Sequence, residues 1–212
     1  MTKPLHVVRR SGIVACCCWL TAALATPTGA VEIVTDTPAA TIATLQQGLI
    51  AVAERQPKAT LDERYRALEP LIVATHDLPY IAEFSLRRQW GSLSEPDRQR
   101  FIAAFERLSV MTYAARFSNV GPDTFKAAAP ASLAEPKRAQ VSTAIARAGA
   151  PDVALDYLLQ QGPAGWRIIN IVADGVSDLA LKRAEYQRVL TSGSLDTLIA
   201  ELEAQTARLQ ED

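Results

Sequence analysis

The sequence predicts an α+β fold with a helical N-terminal half, a four-stranded antiparallel sheet, and C-terminal helices packed over that sheet. Three observations carry the prediction. From Pro38 to about Ser118, apolar residues recur every three or four positions. From Asp123 to Asp174 the repeat shortens to two, in strand-length runs separated by turn residues. From Asp178 onward the helical repeat returns. A run of helices, a run of strands and a closing pair of helices make layers that bury one shared core.

The helices follow in order. "AATIATLQQGLIAVAERQ" places Ile42, Leu45, Leu49 and Val52 on one stripe, and Pro57 ends it. Thr60 opens a second helix with Leu61, Tyr65, Leu68, Leu71 and Ile72 on its face. "HDLPYIAEFSLRRQW" gives a shorter helix around Pro79 that ends near Trp90-Gly91. The strongest signal is "SLSEPDRQRFIAAFERLSVMTYAARFSNVG". There Ser94 and Asp97 form a capping-box pattern, Pro96 falls in the first turn, and Phe101, Ile102, Phe105, Leu108, Met111, Thr112 and Ala115 make a wide apolar face. Gly121-Pro122 stops that helix.

Four strand-length runs come next: "DTFKAAAPASL", "KRAQVSTAIARAG", "DVALDYLLQQ" and "GWRIINIVAD". The short turns between them imply a meander. Val153, Leu155, Tyr157 and Leu159 alternate with Ala154, Asp156 and Leu158, while Trp166, Ile168, Asn170 and Val172 alternate with Arg167, Ile169 and Ile171. Both faces are fairly apolar, which implies cover on one side and partial cover on the other. A helix from Asp178 to Leu190 then puts Leu181, Tyr186 and Val189 on one side and Lys182, Arg183 and Arg188 on the other. Gly193 stops it, Ser194 caps a last helix with Leu195, Leu198, Ile199 and Leu202, and "EAQTARLQED" reads as a polar, fraying tail. The strand ending at Val172 and the helix from Asp178 form two walls of one apolar space.

The N-terminus stands outside this fold. Lys3, Arg9 and Arg10 precede the apolar "IVACCCWLTAALA", and small residues close at Ala25 and again at Ala30. That is the pattern of a secretory signal peptide over residues 1–30, cleaved after one of those alanines. The apolar run is shorter than the roughly 20 residues a membrane-spanning helix needs. "IVAC" resembles a lipoprotein cleavage box, but the apolar run continues past Cys16 instead of ending there. Residues 31–212 are then one exported domain. They contain none of the three cysteines, Cys16, Cys17 and Cys18, so disulfide, thiolate and cysteine-metal chemistry are excluded from them. Loss of the three basic residues turns 22 Lys and Arg into 19 against 23 Asp and Glu, a net charge of about −4. No basic patch dominates, which argues against nucleic acid.

Catalytic equipment is sparse. His76 is the one histidine after the leader, too few for a histidine-based metal site; beside Asp77 it reads as a helix end followed by a cap. "GVSDL" lacks the elbow of a serine nucleophile, so Ser177 reads as a cap. "SGS" at 192–194 is too short to cradle a phosphate. Asp156 beside Tyr157 invites an acid–base reading only if both face inward, and alternation points Asp156 to solvent. No cofactor motif is present.

Three stretches together resemble the MlaC-type, or toluene-tolerance, family of periplasmic lipid-binding proteins: "FSLRRQWGSLSEPDRQRFIAAFERLSVMTYAARF", "VALDYLLQQGPAGWRIINIVADGVS" and "YQRVLTSGSLDTLIAEL". The segment "DLALKRAEY" (Asp178 to Tyr186) departs from typical members and looks like the hopanoid-associated branch called HpnM. The resemblance implies a non-catalytic periplasmic carrier that encloses the apolar part of a phospholipid or hopanoid in an internal cavity. It also implies partners in the membranes: an inner-membrane lipid exporter of the ABC or RND class and an outer-membrane lipoprotein. Parity and periodicity nominate Phe101, Phe105, Leu108, Val141, Ile145, Leu155, Tyr157, Trp166, Ile168 and Val176 as the cavity wall. Lys182 and Arg183 are candidates for contact with a headgroup or a partner, or else belong to a solvated helix face. Two alternatives stand beside the carrier. One is an adaptor of a membrane assembly that carries nothing; the other is a cone-shaped isomerase acting on a terpenoid, with Asp156 as base.

Overall fold

The structure, a computed structural model, describes residues 32–129 and 131–211; the expected signal peptide lies outside them. Each helix starts on a local signal. Thr37 accepts a hydrogen bond from the Ala40 N–H and Pro38 fills the first turn of α1 (Pro38–Arg55). Thr60 and Glu63 complete a reciprocal capping box on α2 (Leu61–Thr75). Pro70 lies inside α2 without ending it, since one ladder bond is lost while Leu68, Leu71 and Ile72 stay buried. Asp77 caps α3 (Leu78–Leu86), which closes at Arg87 with φ 47°. A 3-10 turn at Trp90–Ser92 follows, so the helix stops earlier than the run to Trp90-Gly91 predicts.

Ser94 accepts from the Asp97 N–H and starts α4 (Glu95–Arg116). The capping box there is only half formed, because the Asp97 carboxylate accepts the Ser94 hydroxyl and not its N–H. α4 is buried along Phe101, Phe105, Leu108, Met111 and Ala114, and also at Val110. That extra position reflects its place in the bundle, packed by α2, α3 and α6 (Leu195–Glu211).

The sheet is an antiparallel meander in chain order: β1 (Ser132–Glu135), β2 (Arg138–Ile145), β3 (Val153–Gly162), β4 (Gly165–Ala173) and the two-residue β5 (Val176–Ser177). It therefore has the four expected strands and a short fifth. Asp174 and Gly175, with φ of 47° and 81°, form the two-residue hairpin turn that returns the chain onto β4. The first predicted run is shifted. Regular pairing begins only at Ser132, although Lys126 and Ala129 donate to the Ala144 and Ser142 carbonyls along the same edge.

A bulge corrects the alternation in β4. Leu158 pairs with Asn170 and Leu159 with Ile168, leaving Ile169 unpaired. Parity flips there, so Ile171 and Ala173 share the face of Trp166 and Ile168, while Asn170 and Val172 turn to the other. On α5 (Asp178–Ser192) the buried positions are Leu179, Tyr186 and Val189, and Leu181 is 58% exposed. Leu179 lies seven residues before Tyr186, a helical repeat that Leu181 does not match. The "EAQTARLQED" tail is not frayed up to Glu211; α6 runs to that residue with Leu202 and Thr206 buried. Helices α1, α2, α3 and α5 all reach β4, and one apolar cluster fills the layer between helices and sheet.

Candidate functional site

The sheet face turned to the helices carries Ala139, Val141 and Thr143 from β2, Leu155, Tyr157 and Leu159 from β3, and Trp166, Ile168 and Ile171 from β4. Phe101, Phe105 and Leu108 of α4 join the same cluster. Eight of the ten predicted wall residues are buried in it, and Ile145 packs half-buried against it. Val176 stands apart. It is 52% exposed, because the Asp174-Gly175 turn carries it to the end of the sheet. Two surface hollows, at Lys137 with Gln161–Pro163 and at Arg55–Ala67, border none of the ten.

This interior holds a polar pair that sequence reasoning placed only as a helix end. His76 ends α2, and its backbone meets Ile168 of β4, whose carbonyl accepts the Asp77 N–H. The Nδ1 atom lies 3.2 Å from the Ile72 carbonyl and 3.0 Å from Thr75 Oγ1; Nε2 lies 2.8 Å from the Tyr113 hydroxyl of α4. A carbonyl only accepts, and Thr75 already donates to Leu71. Nδ1 therefore carries the proton and Nε2 accepts from Tyr113. Burial pushes the His76 imidazole down to about 4 and the Tyr113 phenol well above its ordinary value, so both stay neutral. Tyr113 continues outward in a stack with Phe117, centroids 5.4 Å apart, and Phe117 with Phe125 at 6.0 Å. No sequence signal links His76 to Tyr113, which lies 37 residues away on another helix.

The other candidates separate cleanly. Lys182 is engaged by Asp178 at 2.6 Å, one helical turn away. Arg183 instead lies over the ring of Phe84, 5.6 Å from its centroid. Asp156 pairs across the sheet with Ser142, whose hydroxyl it accepts, on the face opposite Tyr157. The acid–base reading thereby loses its base. Ser177 caps α5 by accepting from Ala180, and Ser194 accepts from Thr197 at the start of α6. Asn170, which the predicted alternation turned inward, anchors α5: its Oδ1 accepts from the Ser177 hydroxyl and the Leu179 N–H, each at 3.1 Å. Among the described residues no cluster of three metal-ligating side chains occurs, and no helix is long and apolar enough to cross a membrane.

Comparison with known proteins adds two findings. A family model described as MlaC protein matches residues 43–204. Among solved structures, the fold is similar to that of a phospholipid-binding protein from Ralstonia solanacearum in complex with a phospholipid. The TM-score is 0.69 at 22% identity, and the match covers 80% of this chain and 97% of that one. No curated protein matches the chain.

Proposed function

This chain belongs to the MlaC family, and from that premise we propose that it is a lipid carrier of the periplasm. The observation that supports the reading best is the apolar cluster between the helices and the helix-facing side of β2–β4, most of which lies inside the matched residues. The similar Ralstonia protein, whose structure contains a phospholipid, supports the same class of cargo. One acyl chain of about 15 methylenes transfers about 12 kcal/mol of apolar burial at roughly 0.8 kcal/mol each. That is of the order of a whole domain's stability, so loading requires the helices to part from the sheet and the cargo to replace side-chain contacts. The Asn170 anchor fixes the start of α5 on β4, and α5 is the wall that moves about it.

The finer reading has residues 1–30 as the export signal and a hopanoid as the cargo, suggested by the Asp178–Tyr186 segment. Lipid passes between an inner-membrane exporter of the ABC or RND class and an outer-membrane lipoprotein, and no reaction is catalysed. Purification from native periplasm, followed by lipid extraction and mass spectrometry, tests this. One lipid per protein establishes the carrier and names its cargo. A lipid-free protein that takes up nothing from vesicles leaves the adaptor as the better account.

A further inference from the structure

The outer face of α3 and α5 carries a second arrangement that the apolar interior does not use. The two helices pack side by side, and on α3 the rings of Tyr80 and Phe84 stack, with centroids 5.6 Å apart and planes 13° from parallel. Two guanidinium groups share the Phe84 ring: Arg87 lies 5.4 Å and Arg183 of α5 lies 5.6 Å from its centroid. The two cations are thus no more than about 11 Å apart. Among the described residues, the ion pairs use Arg98, Arg100, Lys126 and Lys182; Arg87 and Arg183 have no carboxylate partner. Arg138 of β2 extends the ridge at one end, 3.4 Å from the Tyr80 hydroxyl.

We propose that this Arg87–Phe84–Arg183 ridge docks the protein on an anionic lipid bilayer, beside the membrane proteins with which the carrier reading, on which this rests, has it exchange lipid. Residues 31–212 carry about −4 overall, so an anionic surface repels the molecule in most orientations. A local cluster of unpaired arginines makes one orientation attractive. Half-buried aromatics interleaved with arginines are the side-chain chemistry of a membrane interface, with rings at headgroup depth and guanidiniums on phosphate. An acidic peptide is the weaker fit, since neither surface hollow touches this ridge to hold one. The attraction acts within a Debye length and fades with salt.

The test is flotation of the processed, full-length protein with phosphatidylcholine vesicles, with and without a minority of phosphatidylglycerol, at low and high salt. Expected is partition onto the anionic vesicles alone, weakened by salt. Each arginine at such a surface contributes about fivefold, so R87A/R183A lowers partition about 25-fold. R87K/R183K retains most of it, and R208A, on the exposed side of α6, changes nothing. Should the alanine pair fail to fold, Arg87→Glu at an exposed position replaces it, with the same loss expected.

Three results would overturn the docking site: no partition of the native chain at low salt, equal partition onto pure phosphatidylcholine, or partition unchanged in the arginine variants. An Arg87-dependent association with polyglutamate by a chain that does not float also overturns it. Extracted lipid separates this idea from the carrier reading. A loaded protein that does not float sinks docking alone, and a floating protein that never holds lipid sinks carriage alone.

Discussion

Acidification should destabilise this domain through one residue, His76. The imidazole is 4% exposed and held as a neutral ring, with Nδ1–H on the Ile72 carbonyl and Nε2 accepting from Tyr113. Protonating Nε2 places a charge where no carboxylate touches the ring, and burial without a counter-ion is what opposes it. Burial is the largest cause of the depressed value; Asp178 of α5 raises it and Lys182 lowers it, both by less. The unfolded chain binds this proton near 6.5 and the folded chain near about 4, so between those values the unfolded state holds more protons. Stability is intact above the window, falls as pH drops through it, and has lost about 3 kcal/mol by its lower end. The assay is urea unfolding at a series of pH values for the native chain and for His76→Gln. The variant is weaker at neutral pH, where a flexible amide replaces the ring against Tyr113. Its curve should nevertheless be flatter than the native one by about 3 kcal/mol between about pH 7 and pH 4. Parallel curves would refute the account and assign acid sensitivity to the carboxylates.

Four further outcomes follow from the packing. A Cβ on Gly48 of α1 would sit 2.4 Å from Leu71 Cδ2 of α2, so Gly48→Ala should lower stability by about 1–3 kcal/mol on overpacking, despite the roughly 1 kcal/mol alanine gains in an open helix. A raised Tm would show that Leu71 yields freely. Phe105→Ala in the central cluster should cost about 3–5 kcal/mol in chemical denaturation, whereas Val176→Ala should stay within about 0.5 kcal/mol; similar losses would put Val176 in the core. Asn170→Ala leaves the Leu179 N–H without its acceptor, costing about 1–2 kcal/mol and speeding amide hydrogen exchange at the start of α5 first; uniform change along the chain would deny Asn170 its anchoring role. Asp156→Asn, on the far face of the sheet, should leave the amount of co-purified lipid unchanged, and a loss of lipid would place that carboxylate in the site.

What could be read from the chain was what its neighbours in sequence decide. Thr60 with Glu63 and Ser94 with Asp97 announce helix starts within four residues, and the period-two runs in β2 and β3 place Val141, Leu155 and Tyr157 inward and Asp156 outward, as the structure has them. The errors begin where a distant partner decides. Ile169 bulges because of how β3 pairs with β4, which turns Asn170 outward and makes it an anchor for α5. Val176 left the predicted wall because an Asp-Gly hairpin, legible as a turn, added a fifth strand too short to show a period. The His76–Tyr113 bond and the meeting of Arg87 with Arg183 over Phe84 join residues far apart in the chain, and no spacing rule reaches them. The same division bears on function. Phe101, Phe105, Trp166 and Ile168 serve equally in a filled core and in a wall that parts for a lipid tail. What distinguishes the two is the free energy of separating α5 and its neighbours from the sheet. That quantity is set by contacts beyond the pivot, such as Tyr186 of α5 edge-on to Phe101 of α4, so a chain weakened there should load lipid faster and hold it less long.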